Sequence, residues 1–266
     1  MDMQLRGKRA LVTGSTSGIG QAIAHGLARE GVAVVVHGRD PERAEATVES
    51  IVAEGGSAAV ALGDLSDDEA ASSVAHQAAA AFGGIEILVN NAGGLGTDGW
   101  ESAAAEDWLA LYDMNVGSAV RMIRALSPEM RAQGYGRIIQ IGSAANPNPL
   151  PDRAAYSAAK AALANLSVSL AKELAATGVT ANTISPGPTH TAGFRELTAR
   201  FAAGHGLPDV ESATRMLLDG PLAAPSDRLA EPAEIAALVA FVASPYGASI
   251  NGANLRIDGG LTPTVN

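Results

Sequence analysis

The sequence predicts an α/β fold, a single domain on a doubly wound parallel sheet of seven strands with helices on both faces. Three observations predict it. From residue 9 onward, short β-branched runs alternate with longer Ala/Leu-rich stretches of helical period. The first strand passes straight into a glycine-rich turn and then a helix. A length of 266 residues with 47% apolar content suits one such unit with an ordinary core.

The expected strands are "RALVT" (9–13), "AVVVH" (33–37), "AAVAL" (58–62), "ILVNNAG" (87–93), "RIIQIGS" (137–143), "TANTIS" (180–185) and "NLRID" (254–258). Helices fit between them over 18–30, 40–54, 67–82, 104–132, 154–177 and 231–243, the last with Pro232 placed for a first helical turn. The stretch 187–227 breaks the rhythm: it is rich in Gly and Pro, and too long for an ordinary connection, so it is expected to be a lid or insertion. Its apolar residues Phe194, Leu197, Phe201, Leu207, Met216, Leu217 and Leu218 either face an apolar substrate or pack the segment onto the body.

A net charge of −10 gives no field to attract nucleic-acid phosphates or an anionic membrane surface, so neither partner is expected. The chain has no cysteine, which removes disulfides, thiolate zinc sites and cysteine nucleophiles together. The five histidines show no zinc-ligand spacing, and no metal is expected. The start, "MDMQLRGKRALVTG", lacks the apolar core of a secretion signal, and no apolar run reaches the ~18 residues of a membrane span. A cytoplasmic protein acting on a small molecule is expected.

In doubly wound sheets ligands bind beyond the carboxyl ends of the strands. The first strand ends in "TGSTSGIG", with Gly14, Gly18 and Gly20 spaced G-x-x-x-G-x-G. Glycines there let the backbone approach a pyrophosphate, and free N–H groups at the helix start favour its charge; a tight turn with no ligand is the alternative. The second strand leads to Arg39, 19 residues beyond Gly20, where a guanidinium can clamp a 2′-phosphate; this points to NADP(H), with NAD(H) as the alternative. Asp40, followed by Pro41, reads as a helix N-cap, with the ribose as its other choice. Asp64, after the third strand, either bonds the adenine or caps the next helix.

At ~100° per residue, Tyr156, Lys160, Leu163, Ser167, Leu170 and Leu174 fall within roughly 40° of a common line. A lysine on an apolar stripe must snorkel or face a polar ligand, unless the first turn overhangs the core into solvent. Asn115 lies on a similar stripe with Trp108, Leu111, Ala119, Met122 and Leu126, and a buried amide needs partners. Ser143 closes the fifth strand 13 residues before Tyr156. A free phenol titrates near 10, and a neighbouring ammonium together with a cationic nicotinamide lowers that value into a range useful for proton transfer. Tyr156 is then the acid/base, Lys160 its tuner and anchor, and Ser143 the group that holds the substrate oxygen.

Seven segments in order make a family resemblance: "TGSTSGIG" (13–20), "NNAG" (90–93), "MNV" (114–116), "IGS" (141–143), "YSAAK" (156–160), "SPG" (185–187) and "DGG" (258–260). The chain resembles the short-chain dehydrogenase/reductases from end to end, 3-oxoacyl-[acyl-carrier-protein] reductase-like members among them. The resemblance implies a Rossmann-type domain, catalysis by Asn115, Ser143, Tyr156 and Lys160, and a homotetramer assembled partly through the long helices carrying Asn115 and Tyr156. It implies that Gly14, Ser17, Gly18, Ile19 and Gly20 hold the pyrophosphate and that Asp64, Leu65, Asn91, Ala92 and Gly93 line the adenosine side. Tyr156, Lys160, Pro186, Gly187 and Thr189 or Thr191 would seat the nicotinamide end, with Lys160 on the ribose and Asn115 holding a proton-relaying water. Carrier reductases of this family present basic residues to their acidic partner; here "GYGR" (134–137) and Thr177 stand in those places, leaving Arg131 and Arg137 to compensate. An NAD-linked sugar or steroid dehydrogenase, or a nucleotide-sensing protein without catalysis, are the other readings.

Overall fold

A computed structural model describes residues 2–96 and 99–264. Seven strands form one parallel sheet: β1 (Arg9–Val12), β2 (Ala33–Gly38), β3 (Ser57–Leu62), β4 (Ile87–Asn90), β5 (Gly136–Ile141), β6 (Val179–Pro186) and β7 (Asn254–Ile257). Their order is β3-β2-β1-β4-β5-β6-β7, so the chain winds outward in both directions from the adjacent pair β1 and β4. That reversal opens a crevice at the carboxyl ends of the two strands, the ligand position of such sheets.

The helices are α1 (Gly18–Arg29), α2 (Pro41–Ala53), α3 (Asp68–Phe82), α4 (Ala105–Tyr112), α5 (Ser118–Gln133), α6 (Ala154–Glu173), α7 (Ala192–His205), α8 (Val210–Asp219) and α9 (Pro232–Ala243). Ile23 and Leu27 of α1 join Ile51 of α2 and Ile235 and Val239 of α9 on one face of the sheet. Val74 of α3, Met122 and Leu126 of α5 and Ala171 of α6 cover the other. Asp40 caps α2 by accepting from the Arg43 N–H (3.3 Å), with Pro41 in the first turn, and Pro232 opens α9 as expected. No helix among the described residues is long and apolar enough to cross a membrane.

Two differences from the sequence reading matter for the site. The helix expected over 104–132 is interrupted by a π turn at Asp113–Gly117, which carries Asn115. A π turn leaves carbonyls without their regular i+4 partner, and here the Asn115 side chain donates to the Leu111 carbonyl (2.9 Å). The stretch 187–227 contains two helices, α7 and α8, that hold only Thr198, Ala202 and Ala213 fully buried.

Candidate active site

The turn from β1 into α1 is shaped by what it touches. Gly14 (φ +62°) and Gly18 (φ +57°) adopt left-handed backbone, which glycine alone adopts without strain. A Cβ on Gly14 would lie 2.9 Å from the Ala92 Cα, and one on Gly20 would lie 2.4 Å from both the Asn91 Nδ2 and the Gly14 carbonyl. The segment after β4 fastens the turn: Asn91 Nδ2 donates to the carbonyls of Thr13 (2.9 Å) and Gly14 (3.0 Å). In return, the Thr13 hydroxyl accepts from the N–H groups of Asn91 (3.0 Å) and Ala92 (2.9 Å). Ser17 stands at the N-cap of α1 without a side-chain cap bond, and the first turn of the helix, with Ile19, carries no acid. Free amides at a helix start favour an anion.

One residue of this region escaped the sequence reading. His37, at the end of β2, accepts from the Gly14 N–H at Nδ1 (3.1 Å) and donates from Nε2 to the Gly63 carbonyl (3.2 Å). Its backbone N–H donates to the Ser15 hydroxyl (3.0 Å), which donates to the Val12 carbonyl (2.7 Å). These partners require the neutral ring with its proton on Nε2. Burial is the main cause that pushes its pKa down to about 4; the Gly63 bond and Asp64 oppose it and Arg39 adds to it. A lone histidine in the otherwise apolar "AVVVH" was the available signal.

The unfolded chain therefore binds one more proton at His37 than the folded chain between about pH 6.5 and about pH 4. Stability from this residue is complete above that window and falls through it on acidification, by roughly 3 kcal/mol at ~1.4 kcal/mol per pH unit. Urea denaturation of wild type and His37→Asn at both ends of the window checks this: the variant, whose group does not titrate, loses less on acidification.

At the β2 end, Arg39 is 76% exposed on its side chain and lies 3.6 Å from Asp64. Asp64 also accepts from the Ser66 N–H (3.0 Å), the main cause that lowers its carboxyl pKa. Asp67, not Asp64, caps α3, accepting from the Ala70 N–H (2.7 Å). Leu65 is buried, and its carbonyl accepts from Arg121 (3.2 Å).

Four residues named for chemistry converge beyond β4 and β5. Lys160 is 5% exposed, so it neither snorkels nor overhangs, and its Nζ donates to the Ile141 carbonyl (2.9 Å). Burial pushes its pKa down to about 8. The ammonium lies 5.7 Å from the Tyr156 ring centroid. Burial raises the phenol's pKa, and a hydrogen bond with Ser143 opposes the rise. The protein groups by themselves thus leave the phenol above its ordinary value, because burial outweighs the Ser143 contact. Asn115 is buried and donates to the Gly94 (3.0 Å) and Leu111 (2.9 Å) carbonyls, while its Oδ1 accepts from the Gly94 N–H (3.3 Å). A Cβ on Gly93 would lie 2.5 Å from that Oδ1 and 3.6 Å from the lysine Nζ.

The segment after β6 closes the other side. Gly187 N–H donates to the Ile257 carbonyl (3.0 Å), and a Cβ there would lie 2.8 Å from the Asp258 Cα. Pro186 accepts from the Ala144 N–H (2.8 Å), linking this segment to the one that follows Ser143. The Thr189 hydroxyl is committed to the Gly187 carbonyl (2.9 Å), and Thr191 caps α7 through the Phe194 N–H (3.1 Å). The Thr191 methyl lies 3.7 Å from where a Gly18 side chain would begin, so this segment and the glycine turn are adjacent walls. Among the described residues no cluster of ligating side chains suits a metal.

A glycine turn at the sheet's reversal point and a Ser-Tyr-Lys group beside it define a dinucleotide-dependent oxidoreductase of the short-chain type, and the comparisons agree. Residues 8–201 match the short chain dehydrogenase family. The chain is 37% identical over its whole length to the uncharacterized oxidoreductase YvaG of Bacillus subtilis, which it covers completely. It is 35% identical to the 3-oxoacyl-[acyl-carrier-protein] reductase of Haemophilus influenzae, over 97% of this chain and 99% of that one. The L-sorbose reductase of Gluconobacter frateurii, solved with NADPH and L-sorbose, superposes over 100% of both chains with a TM-score of 0.95 and 34% identity. The protein belongs to the short-chain dehydrogenase family and is an NAD(P)-dependent oxidoreductase with a Rossmann-type fold.

Proposed function

We propose that this protein transfers a hydride between NADP(H), in preference to NAD(H), and a ketone or secondary alcohol, with Tyr156 as the acid/base. The observation that carries the reading is the meeting of the Ser143 hydroxyl, the Tyr156 phenol and the buried Lys160 beside the glycine turn. That turn fits the dinucleotide: lacking Cβ atoms, Gly14 and Gly20 let it pack directly on Asn91 and Ala92, and the helix start it leads into carries no acid to repel a pyrophosphate. Gly14, Ser17, Gly18, Ile19 and Gly20 would hold the pyrophosphate, and Asp64, Leu65 and the Asn91–Gly93 segment the adenosine side. Lys160 and Pro186 to Thr191 would hold the nicotinamide end. The dinucleotide supplies or accepts the hydride when bound and, when oxidised, brings the positive charge that lowers the phenol's pKa.

In reduction, Ser143 donates a hydrogen bond to the substrate oxygen and Tyr156 gives it a proton; in oxidation, Tyr156 takes the alcohol proton. Lys160 stabilises the phenolate that remains. Asn115, with both amide hydrogens on carbonyls, holds the Gly94 wall against α4.

Preference for NADP(H) rests on the β2 end, where Arg39 presents an exposed guanidinium, Asp40 is committed to capping α2, and Asp64 pairs with the arginine instead of presenting an unopposed carboxylate. The NADPH and NADP complexes of the L-sorbose reductase and of a 3-oxoacyl reductase of Agrobacterium tumefaciens support it. Arg39→Asp weakens NADPH binding by about tenfold to a hundredfold and favours NADH, read by fluorescence titration of both cofactors. A wild type that favours NADH, or an unchanged ratio in the variant, defeats the preference.

The carrier-bound substrate is disfavoured by the fate of its two basic candidates. Arg137 is buried, bonded to the Gly136 (2.8 Å) and Gly178 (3.2 Å) carbonyls and stacked on Tyr135, and Arg131 faces Glu173 at 3.9 Å. Residues 187–227 act as the lid: of their apolar residues named above, Met216 is exposed and none is fully buried, which fits a surface that closes on a ligand. A homotetramer is supported by the outer face of α4, α5 and α6, where Tyr112, Val120, Ile123 and Leu166 line a shallow cavity of about 720 Å³; a monomer mass in sedimentation removes it. We place the protein in the cytoplasm, whose dinucleotide pool supplies such a cofactor.

A further inference from the structure

The proposed reaction leaves one cation of the cleft without a role. Arg153 is the N-cap residue of α6, three positions before Tyr156. Both line a cavity of about 200 Å³, whose wall is otherwise mostly apolar, including Leu95, Trp108, Leu111 and Met114. The other charged group there, Asp107, is committed to capping α4 by accepting from the Ala104 N–H (2.9 Å). No carboxylate among the described residues comes within 4.0 Å of the Arg153 guanidinium.

Its position compounds the imbalance. A helix N-terminus is the positive end of the backbone dipole, where cations are disfavoured, and the first turn of α6 carries no acid to offset it. The buried Lys160 adds a second positive charge about two turns further along. Among the described residues, the proton-transfer site thus holds two cations, Arg153 and Lys160, against one carboxylate, Asp107, which its cap bond holds to the start of α4.

We propose that Arg153 is a specificity-determining residue and that the natural substrate is a small oxo acid or the matching hydroxy acid. The carboxylate pairs with Arg153, a short hydrocarbon stem lies along the apolar wall, and the carbonyl sits at Tyr156. This rests on the carbonyl-reductase reading. A cavity of this size has the volume of about seven waters, which suits a short chain. The chemistry is unchanged: a hydride from the reduced dinucleotide forms the C–H bond, the C=O π pair takes the Tyr156 proton, and the carboxylate remains intact.

The test pairs acids with their neutral esters. Acetoacetate and 4-oxopentanoate are compared with their methyl esters, and with L-sorbose as a polyhydroxylated neutral ketone, in wild type, Arg153→Leu and Arg153→Lys. Wild type is expected to show a KM at least about tenfold lower for the acids than for the esters. Arg153→Leu raises the acid KM by about tenfold to a hundredfold with kcat held within about threefold, leaves the esters unchanged, and Arg153→Lys restores part of the loss. Butanoate inhibits wild type competitively and the Leu variant weakly. Equal KM for acid and ester, or an acid-to-ester ratio that Arg153→Leu leaves alone, overturns the assignment while ester or L-sorbose turnover keeps the reductase reading standing. NADPH binding without consumption on every compound brings down both.

Discussion

Tyr156→Phe lowers kcat/KM for carbonyl reduction by about three to four orders of magnitude and leaves the fold and NADPH affinity within about twofold of wild type. The substitution removes one oxygen and keeps the ring that lines the cavity with Trp108 and Leu111. What disappears is the proton: the hydroxyl is buried where Ser143 favours its ionised form, and no other titratable group stands at that place to replace it. Lys160 cannot, since its Nζ donates to the Ile141 carbonyl and lies 5.7 Å from the ring centroid. Steady-state loss of nicotinamide absorbance measures the effect, with circular dichroism to verify the fold. Near-normal turnover in the variant would falsify the acid/base assignment.

Gly20→Ala abolishes high-affinity dinucleotide binding, by at least about a hundredfold, and destabilises the protein by several kcal/mol. The added carbon meets the Gly14 carbonyl and the Asn91 amide nitrogen at 2.4 Å, and both are held in place by the bonds that tie the turn to the β4 end. Either the turn shifts and loses its anion-binding amides, or α1 moves off the sheet. Gly204→Ala is the control: it lies within α7, where a Cβ meets nothing within 4 Å, and helix propensity makes it neutral or slightly stabilising. NADPH fluorescence titration and thermal melting of both variants distinguish a local defect from general sensitivity to an extra methyl. Gly20→Ala with wild-type affinity would remove the glycine turn from the cofactor site.

Elements that depend on near neighbours were legible in the sequence. The seven strands, the Asp40–Pro41 cap and the Tyr156–Lys160 stripe follow from alternation, helical period and capping chemistry, which act over a few residues. The stripe left the lysine to snorkel, face a ligand or overhang the core, and the structure decides for a buried ammonium at 5% exposure.

What the sequence left open depends on residues far apart in the chain. His37 became a strut only when the sheet placed Gly14, 23 residues before it, and Gly63, 26 residues after it, on its two ring nitrogens. The π turn at Asn115 follows from bonds to Leu111 and to Gly94, of which only the first lies on its own helix. Arg137 reads as a surface cation until β6 brings the Gly178 carbonyl to it. By itself the sequence determined which side chains are present and which face of each element they share, because those are matters of local geometry. Only the tertiary structure decided what each polar group is bonded to, because a buried donor or acceptor takes its partner from whichever strand or loop the fold sets beside it.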